Sequence, residues 1–251
     1  MTDTSIPPRF TEGDFRVGRV LNRTTSVLSR NFLTFFVVTA IAHLPSALLF
    51  GNPISGTSKP AVIQGVVTLV IGSVLMIVLS TLSQAIVLYG AFQDMRGRQV
   101  SLTESLQVGL RRFFPIIGLG ILVSVLGVLA AILLIFPAFM LFTRWFVATP
   151  ACVVEQLGPL RSMGRSAELT KGHRWKIFGL MILMIIASLV GGRVVGASSA
   201  AIGGTVFSII ASVLWNGVLG AFYAIAVVVT YHDLRVAKEG VQTEDLARVF
   251  E

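Results

Sequence analysis

A long apolar stretch without a charged residue is the feature that most restricts the fold of this chain. Residues 61–92 contain no Asp, Glu, Lys or Arg, and the first charged residue after them is Asp94. As an α-helix this stretch would be about 48 Å long, whereas the hydrocarbon core of a bilayer is about 30 Å thick. Such a helix must tilt, protrude or bend, and the polar residues 80–84 mark the expected bend. The stretch therefore indicates a membrane protein.

The composition of the whole chain supports this interpretation. Of its 251 residues, 54% are hydrophobic and 13% are charged, while soluble domains contain about 25% charged residues. So few charges cannot cover that much apolar surface in water, which excludes an ordinary soluble enzyme. The single cysteine, Cys152, cannot form an internal disulfide or a cysteine-based zinc site.

Six apolar stretches are long enough to span a membrane, by the criterion of about 18 residues with few or no charges. The third and fourth are continuous in sequence, and together they would form about 63 Å of helix, twice the thickness of the hydrocarbon core. We place the reversal between them at Phe136-Pro137, because proline interrupts a helix. The six predicted spans are residues 31–50, 61–92, 113–136, 137–154, 175–192 and 202–231.

The basic residues provide a test of this division. Of the 20 Lys and Arg residues, 17 lie in or at the edge of alternate loops and both tails, while Lys59 and Arg193 lie in the opposite loops and Arg144 lies inside the fourth span. Loops rich in Lys and Arg stay in the cytoplasm. The pattern therefore predicts six spans with both termini cytoplasmic. Because the charges follow the topology, nucleic-acid binding is not expected.

The ends of the chain complete the expected organisation. The first thirty residues contain five arginines and no apolar core, so we expect an uncleaved first span in place of a signal peptide. We expect residues 1–12 to be a flexible N-terminus, residues 13–235 to be the membrane domain and residues 236–251 to be a cytoplasmic tail.

A basic amphipathic stretch precedes three of the six spans. These stretches are residues 15–31, 101–112 and 160–174, and each leads into an aromatic residue. We expect three helices in the cytoplasmic interface, with apolar faces on the membrane and arginines toward the headgroups. The fold class is then an all-α polytopic bundle, compatible with three repeats of interfacial helix plus hairpin. Residue identity between the three is weak, and any inside-facing loop could acquire this character.

Several short motifs are spread along the chain from about residue 10 to 245. They are Phe15, Val20-Leu21, Arg30-Asn31-Phe32, Gly97, Val100-Ser101-Leu102, Pro137, Trp145, Pro150, Val153-Val154-Glu155, Gly158, Arg165-Ser166, Leu169-Thr170, Gly172, Trp175, Tyr231, Asp233-Leu234-Arg235 and Glu239-Gly240. With these motifs the chain resembles the bacterial membrane domain of the glycerophosphoryl diester phosphodiesterase family and the related YciC-like inner-membrane proteins.

This resemblance implies a six-span helical fold in the bacterial cytoplasmic (inner) membrane, without phosphodiesterase activity of its own. In the family that activity belongs to a separate soluble barrel, for which this chain has no room. The His-Arg-Gly box of that barrel is also missing, because His173-Arg174 is followed by Trp175. Neither a Gly-x-Ser-x-Gly nor a His-Glu-x-x-His motif is present. We therefore expect no enzymatic activity, no cofactor and no metal site.

Arg144 is the only charged residue well inside a predicted span. A central arginine costs about 2.5–3.5 kcal/mol on insertion scales, so it needs partners. No predicted span contains Asp or Glu, which leaves Gln84, Asn216, hydroxyl groups, carbonyls freed near Pro150, or an external anion. Two interpretations stay open. Arg144 reaches the interface or caps a bent helix, or it holds a lipid phosphate or anionic solute together with Gln84 and Asn216.

Two further polar residues have simpler interpretations. Glu155 lies eleven residues after Arg144, about 16 Å along a helix, which is too far for a direct ion pair. We expect Glu155 to form a network at the cytoplasmic rim with Arg161 or Arg165. His43, alone in the first span, is interpreted as a packing residue.

These observations predict a non-catalytic membrane protein that acts with lipids or with another envelope protein. The expected partners are membrane phospholipids and either a membrane protein or a second copy of this chain. The alternative is a transporter or channel for a small anionic or lipid-like solute, because prolines in several spans allow broken helices. The absence of acidic residues from the predicted spans argues against proton or sodium coupling.

Overall fold

The computed structural model describes residues 15–50, 59–133 and 135–239, and these residues form helices and turns without a strand. The predicted flexible N-terminus, residues 1–12, lies outside this part of the chain, as does most of the predicted tail. The described helices are α1 (Val17–Arg30), α2 (Phe32–Phe50), α3 (Lys59–Met95), α4 (Leu102–Leu133), α5 (Ile135–Trp145), α6 (Ala148–Val154), α7 (Pro159–Thr170), α8 (Arg174–Ile202) and α9 (Thr205–Glu239). Helix α9 continues four residues beyond the predicted end of the membrane domain at residue 235.

Four of these helices, α3, α4, α8 and α9, are long and apolar enough to cross a membrane. Helices α1 and α2 meet at an angle of 90°, and this bent pair would give a fifth crossing. Large apolar side chains are exposed along the long helices, including Leu33, Phe114 and Leu189. The protein is thus an all-helical bundle with four to five helices suited to a bilayer.

Helices α8 and α9 form a hairpin whose turn contains two glycines, and the two helices approach each other closely. Gly203 and Gly204 both adopt a positive φ, at +75° and +94°, which side chains with a Cβ rarely adopt. On the two arms, a Cβ on Gly191 would lie 1.9 Å from Trp215 Cζ2. Because positions 191 and 215 are equally distant from residue 203, this contact shows that the two helices run back along each other.

The reversal predicted between the third and fourth apolar stretches falls inside a helix. Helix α4 ends at Leu133 and α5 begins at Ile135, so Phe136 and Pro137 both lie within α5. The prediction of a reversal at Phe136-Pro137 is therefore wrong, and α4 and α5 approach closely where a Cβ on Gly127 would lie 2.6 Å from Phe142 Cζ. Pro137 lies in the first turn of α5, where proline is tolerated because its missing N–H would have no helical partner.

The three predicted interfacial helices differ from one another. Helices α1 and α7 are separate elements, whereas residues 102–112 continue directly into α4. The physical reason lies in the residues that follow each stretch. Helix α1 ends at Arg30 because the next residue, Asn31, leaves the helical region of φ and ψ, and α7 is followed by Gly172 at a φ of +91°. No such interruption follows Arg112. Helix α3 likewise continues through residues 80–84, where a bend was expected.

Helices α2, α3 and α9 pack against one another, and α1 lies across α9. Residues 224–231 of α9 are all buried, which places this segment at the centre of the bundle. The apolar residues Val20, Val27 and Leu28 of α1 belong to the same core. The apolar face of α1 therefore packs on protein, and the prediction that it rests on the membrane is wrong for this helix.

Candidate functional site

A break in the fourth apolar segment organises the centre of the molecule. Helix α5 ends at Trp145 and α6 begins at Ala148, with Phe146 and Val147 in a turn between them. Pro150 explains the position of the break, because its nitrogen cannot donate to the carbonyl of Phe146 and its ring would clash with that carbonyl in a continuous helix. In the observed structure Pro150 lies in the first turn of α6, where both problems vanish.

The carbonyl of Arg144 lies at the end of α5, and α7 supplies a partner for it. Ser166 Oγ donates to the Arg144 carbonyl at 2.9 Å, and Thr170 Oγ1 lies 3.3 Å from the same carbonyl while it donates to the Ser166 carbonyl at 2.9 Å. Both Ser166 and Thr170 are fully buried. The last turn of α5 has no continuing helix to satisfy its carbonyls, so the Ser166 hydroxyl attaches α7 to the broken segment.

The side chain of Arg144 takes no part in this contact, which uses only the carbonyl of that residue. It is exposed, and among the described residues it makes no side-chain hydrogen bond or ion pair. Gln84 lines two cavities among the long helices, and Arg144 lines neither of them. The structure therefore does not bring Arg144 together with Gln84 and Asn216, and the predicted three-residue anion contact is not assembled. The interpretation in which Arg144 sits at a bent helix fits the observed break.

Glu155 and Arg165 belong to an ion-pair network that joins α6, α7 and α9. Arg165 Nε lies 3.0 Å from both carboxylate oxygens of Glu155, and its Nη2 contacts Glu239. Tyr231 Oη donates to Glu155 Oε1 at 2.7 Å, and Arg235 Nε donates to Glu239 Oε2 at 2.8 Å. We call these five residues the ion-pair network.

Arg165 is the centre of this network. Burial by itself would lower the pKa of the Arg165 guanidinium, but hydrogen bonds to Glu239 and Glu155 outweigh it, so the pKa is raised. Its Nη1 also lies 3.8 Å from Glu168. Arg161, the alternative partner proposed for Glu155, is exposed one turn earlier on α7 and makes no ion pair with a described residue.

Sequence reasoning did not assign Tyr231, Arg235 and Glu239 to the network of Glu155, although their spacing was a signal. The three residues are spaced four apart, which places them along one face of a helix. Their partners lie 76 and 74 residues away, for Tyr231 with Glu155 and for Glu239 with Arg165. Spacing could have predicted the shared face, but not the helix that meets it.

A cavity of about 560 Å³ lies between α3, α4, α9 and the broken segment. Its walls are mostly apolar, and the polar residues among them are Thr81, Gln84, Ser124, Thr149 and Tyr223. Trp145, Phe146 and Ala148 of the break line the cavity directly. The break therefore does more than connect two helices, because it forms one wall of this cavity.

A second cavity of about 300 Å³ adjoins the first through the shared residues Gln84 and Tyr223. It is also lined by His43, Asn216 and Ser188. We call the two cavities together the groove. The polar groups of the second cavity come from α2, α3, α8 and α9, and Gln84 and Asn216, which sequence reasoning had grouped, both line it. His43 lines the same cavity, in addition to the packing role expected from the sequence.

The two amides of the groove differ in their hydrogen bonding. Asn216 Nδ2 donates to the carbonyl of Ser212 at 2.7 Å. Gln84 makes no side-chain hydrogen bond with any residue that the structure describes, and it is exposed to both cavities. The Gln84 amide is therefore available to hydrogen-bond a polar group of a molecule in the groove.

The groove suits a molecule that is mainly apolar and carries a hydrogen-bonding group. In residues 15–50, 59–133 and 135–239, no three His, Cys, Asp or Glu side chains lie close enough to hold a metal ion together. The polar groups of the groove are amides, hydroxyls and an imidazole, which can orient a ligand through hydrogen bonds.

No protein-family model, curated protein or solved structure matches this chain.

Proposed function

We infer that this chain is a non-catalytic integral membrane protein that takes a lipid-like molecule into its groove. The observation that carries the proposal is the unpaired Gln84 amide, which lies between apolar walls and faces both cavities. An acyl chain would fill the apolar part, and an ester or hydroxyl oxygen could accept a hydrogen bond from Gln84. The protein would act as a lipid- or envelope-associated accessory protein or scaffold.

The proposal includes the topology and the family. It places six spans in a bacterial inner membrane, with α2 and the α5–α6 segment added to the four long helices and both termini cytoplasmic. This arrangement is supported by the distribution of Lys and Arg residues. The short motifs around Trp145, Pro150 and Arg165 support kinship with the membrane domain of the glycerophosphoryl diester phosphodiesterase family.

A matched pair of glycines allows a direct test. Gly120 lines the larger cavity and Gly179 lies outside the groove on α8, and a Cβ added at either position would meet no atom within 4 Å. Gly120→Phe should fill the cavity, so labelling of groove residues by a photoactivatable phospholipid should fall roughly tenfold, equivalent to about 1.4 kcal/mol of lost binding free energy. Gly179→Phe should leave labelling unchanged. Equal labelling of groove peptides in both variants would contradict the proposal.

The second candidate is a transporter for a small anionic or lipid-like solute. The specific observation in its favour is the broken α5–α6 segment, which lines the larger cavity, since broken helices form the binding sites of many transporters. Purified protein in liposomes should then move a fluorescent lipid or an anion across the bilayer, and Gly120→Phe should stop it. Lipid labelling without any flux would favour the accessory function.

A further inference from the structure

A polar pocket lies apart from the groove, between α1 and the turn that joins α3 to α4. Its volume is about 910 Å³. Its lining residues are mostly charged or polar, and they include four arginines and one carboxylate. These five are Arg19, Arg23, Arg30, Arg98 and Asp94.

The pairing of these charges leaves two arginines without a carboxylate partner. Asp94 is held by Arg30 Nη2 at 2.6 Å and by Asn31 Nδ2 at 2.8 Å. Arg23 donates to Asp233 on α9 at 3.1 Å. Arg19 and Arg98 are exposed, and neither makes an ion pair within the part of the chain that the structure describes. The pocket therefore keeps an excess of positive charge.

These two arginines line the pocket from different elements, α1 and the turn between α3 and α4. Arg19 lies in the first turn of α1. Arg98 follows Gly97, which adopts a φ of +70°, and its backbone N–H donates to the Gln93 carbonyl at 3.0 Å. A glycine is favoured at this φ because it lacks a Cβ. The turn thus fixes the point from which Arg98 extends.

Uncharged donors complete the pocket. Asn22 and Gln99 line it and make no side-chain hydrogen bond with a described residue. Amides beside unpaired guanidinium groups are well suited to a phosphate, which accepts several charge-assisted hydrogen bonds at once.

We propose that this pocket binds a phosphate group, carried by the headgroup of an anionic phospholipid. The lipid source is favoured by what adjoins the pocket. Asn31 and Thr34 line it, and between them Phe32 and Leu33 are exposed by 44% and 72%. The acyl chains of a bound lipid would lie along this exposed apolar surface of α2. A free phosphorylated solute has the same phosphate chemistry and is the other source. The inference rests on the membrane placement of α2 in the proposed function, but not on the groove.

The test uses the purified full chain in a nonionic detergent, with native mass spectrometry of added phosphatidylglycerol and phosphatidylcholine. Arg19→Gln with Arg98→Gln removes both unpaired charges of the pocket. Arg111→Gln with Arg161→Gln is the matched control, because these exposed arginines lie outside the pocket and make no ion pair with a described residue. We expect phosphatidylglycerol affinity to fall about tenfold in the pocket variant and less than about twofold in the control.

Further arms of the experiment keep the result open to contradiction. Arg19→Lys with Arg98→Lys should restore part of the affinity, because it returns the charge without the planar donors. Thermal unfolding of each variant in the same detergent checks that it folds. If phosphatidylglycerol affinity falls equally in the pocket and control variants, the effect is general charge attraction and the proposal is overturned. Unchanged phosphatidylglycerol affinity in the pocket variant would also overturn it.

The same samples distinguish the two phosphate sources and the two sites. Binding of inorganic phosphate or glycerol 3-phosphate that depends on Arg19 and Arg98, with phosphatidylglycerol binding equal in all forms, would assign the pocket to a soluble ligand. If neither ligand depends on these arginines, the phosphate site does not exist. Gly120→Phe should leave the headgroup affinity unchanged, so failure of the groove proposal would be seen separately.

Discussion

The ion-pair network and the groove use their polar side chains in opposite ways. In the network, Glu155, Tyr231 and Glu239 are all bound to arginines or to each other. In the groove, the Gln84 amide has no partner among the described residues, while Tyr223 is 45% exposed. The carboxylates of the first arrangement are paired within the described residues, whereas the Gln84 amide of the second is not.

This difference indicates where stability and binding reside. Removing a member of a closed network leaves its partners partly buried and unpaired, and the folded state loses free energy. Removing an unpaired group from a cavity removes no internal contact. A substitution in the network should therefore change stability first, and a substitution in the groove should change binding first.

The largest effect is expected for Arg165→Leu. This change leaves the carboxylates of Glu155 and Glu239 without their shared cation. We expect a loss of about 2–3 kcal/mol in the free energy of unfolding, less than for a fully buried pair because the Arg165 side chain is 22% exposed. Thermal unfolding in detergent would show a melting temperature lower by about 4–12 °C.

Arg161→Leu is the control for this prediction, since Arg161 lies one turn away on the same helix and is exposed. Its effect should stay within about 0.5 kcal/mol. If the two variants unfold at the same temperature, the network does not stabilise the fold, and the contrast with the groove disappears.

A smaller effect is expected for Tyr231→Phe, which removes the hydroxyl that donates to Glu155 at 2.7 Å. Loss of one hydrogen bond to a charged group should lower stability by about 1.5 kcal/mol. A double-mutant cycle with Glu155→Gln measures the coupling between the two side chains. Additive effects would show that the hydroxyl and the carboxylate act independently.

The smallest change in stability is expected for Gln84→Leu. Since Gln84 has no internal partner, the free energy of unfolding should change by less than about 0.5 kcal/mol or rise slightly. Labelling by a photoactivatable phospholipid should nevertheless fall, because the occupant loses its hydrogen-bond donor. A variant that is strongly destabilised, with unchanged labelling, would assign Gln84 to the structure and not to binding.

Sequence reasoning predicted the grouping of the site residues only in part. The sequence grouped Gln84 with Asn216, and both line the second cavity. It also grouped Arg144 with them, although the Arg144 side chain lies elsewhere. The face of α5 explains the difference, since Phe142 and Trp145 line the larger cavity whereas Arg144, between them in sequence, lies on another face of the same helix. The sequence contains all three residues, but which face of α5 meets the cavity depends on the packing of the other helices.

The sequence by itself determined the all-helical class and the long apolar helices. These properties are local, because a helix satisfies its own backbone hydrogen bonds and its hydropathy can be read along the chain. Only the tertiary structure decided that α1 packs on α9, that Asp94 is held by Arg30 and Asn31, and that the Ser166 hydroxyl of α7 binds the Arg144 carbonyl. Those contacts join residues 22 to more than 60 positions apart, and they depend on how the side chains of separate helices fit together.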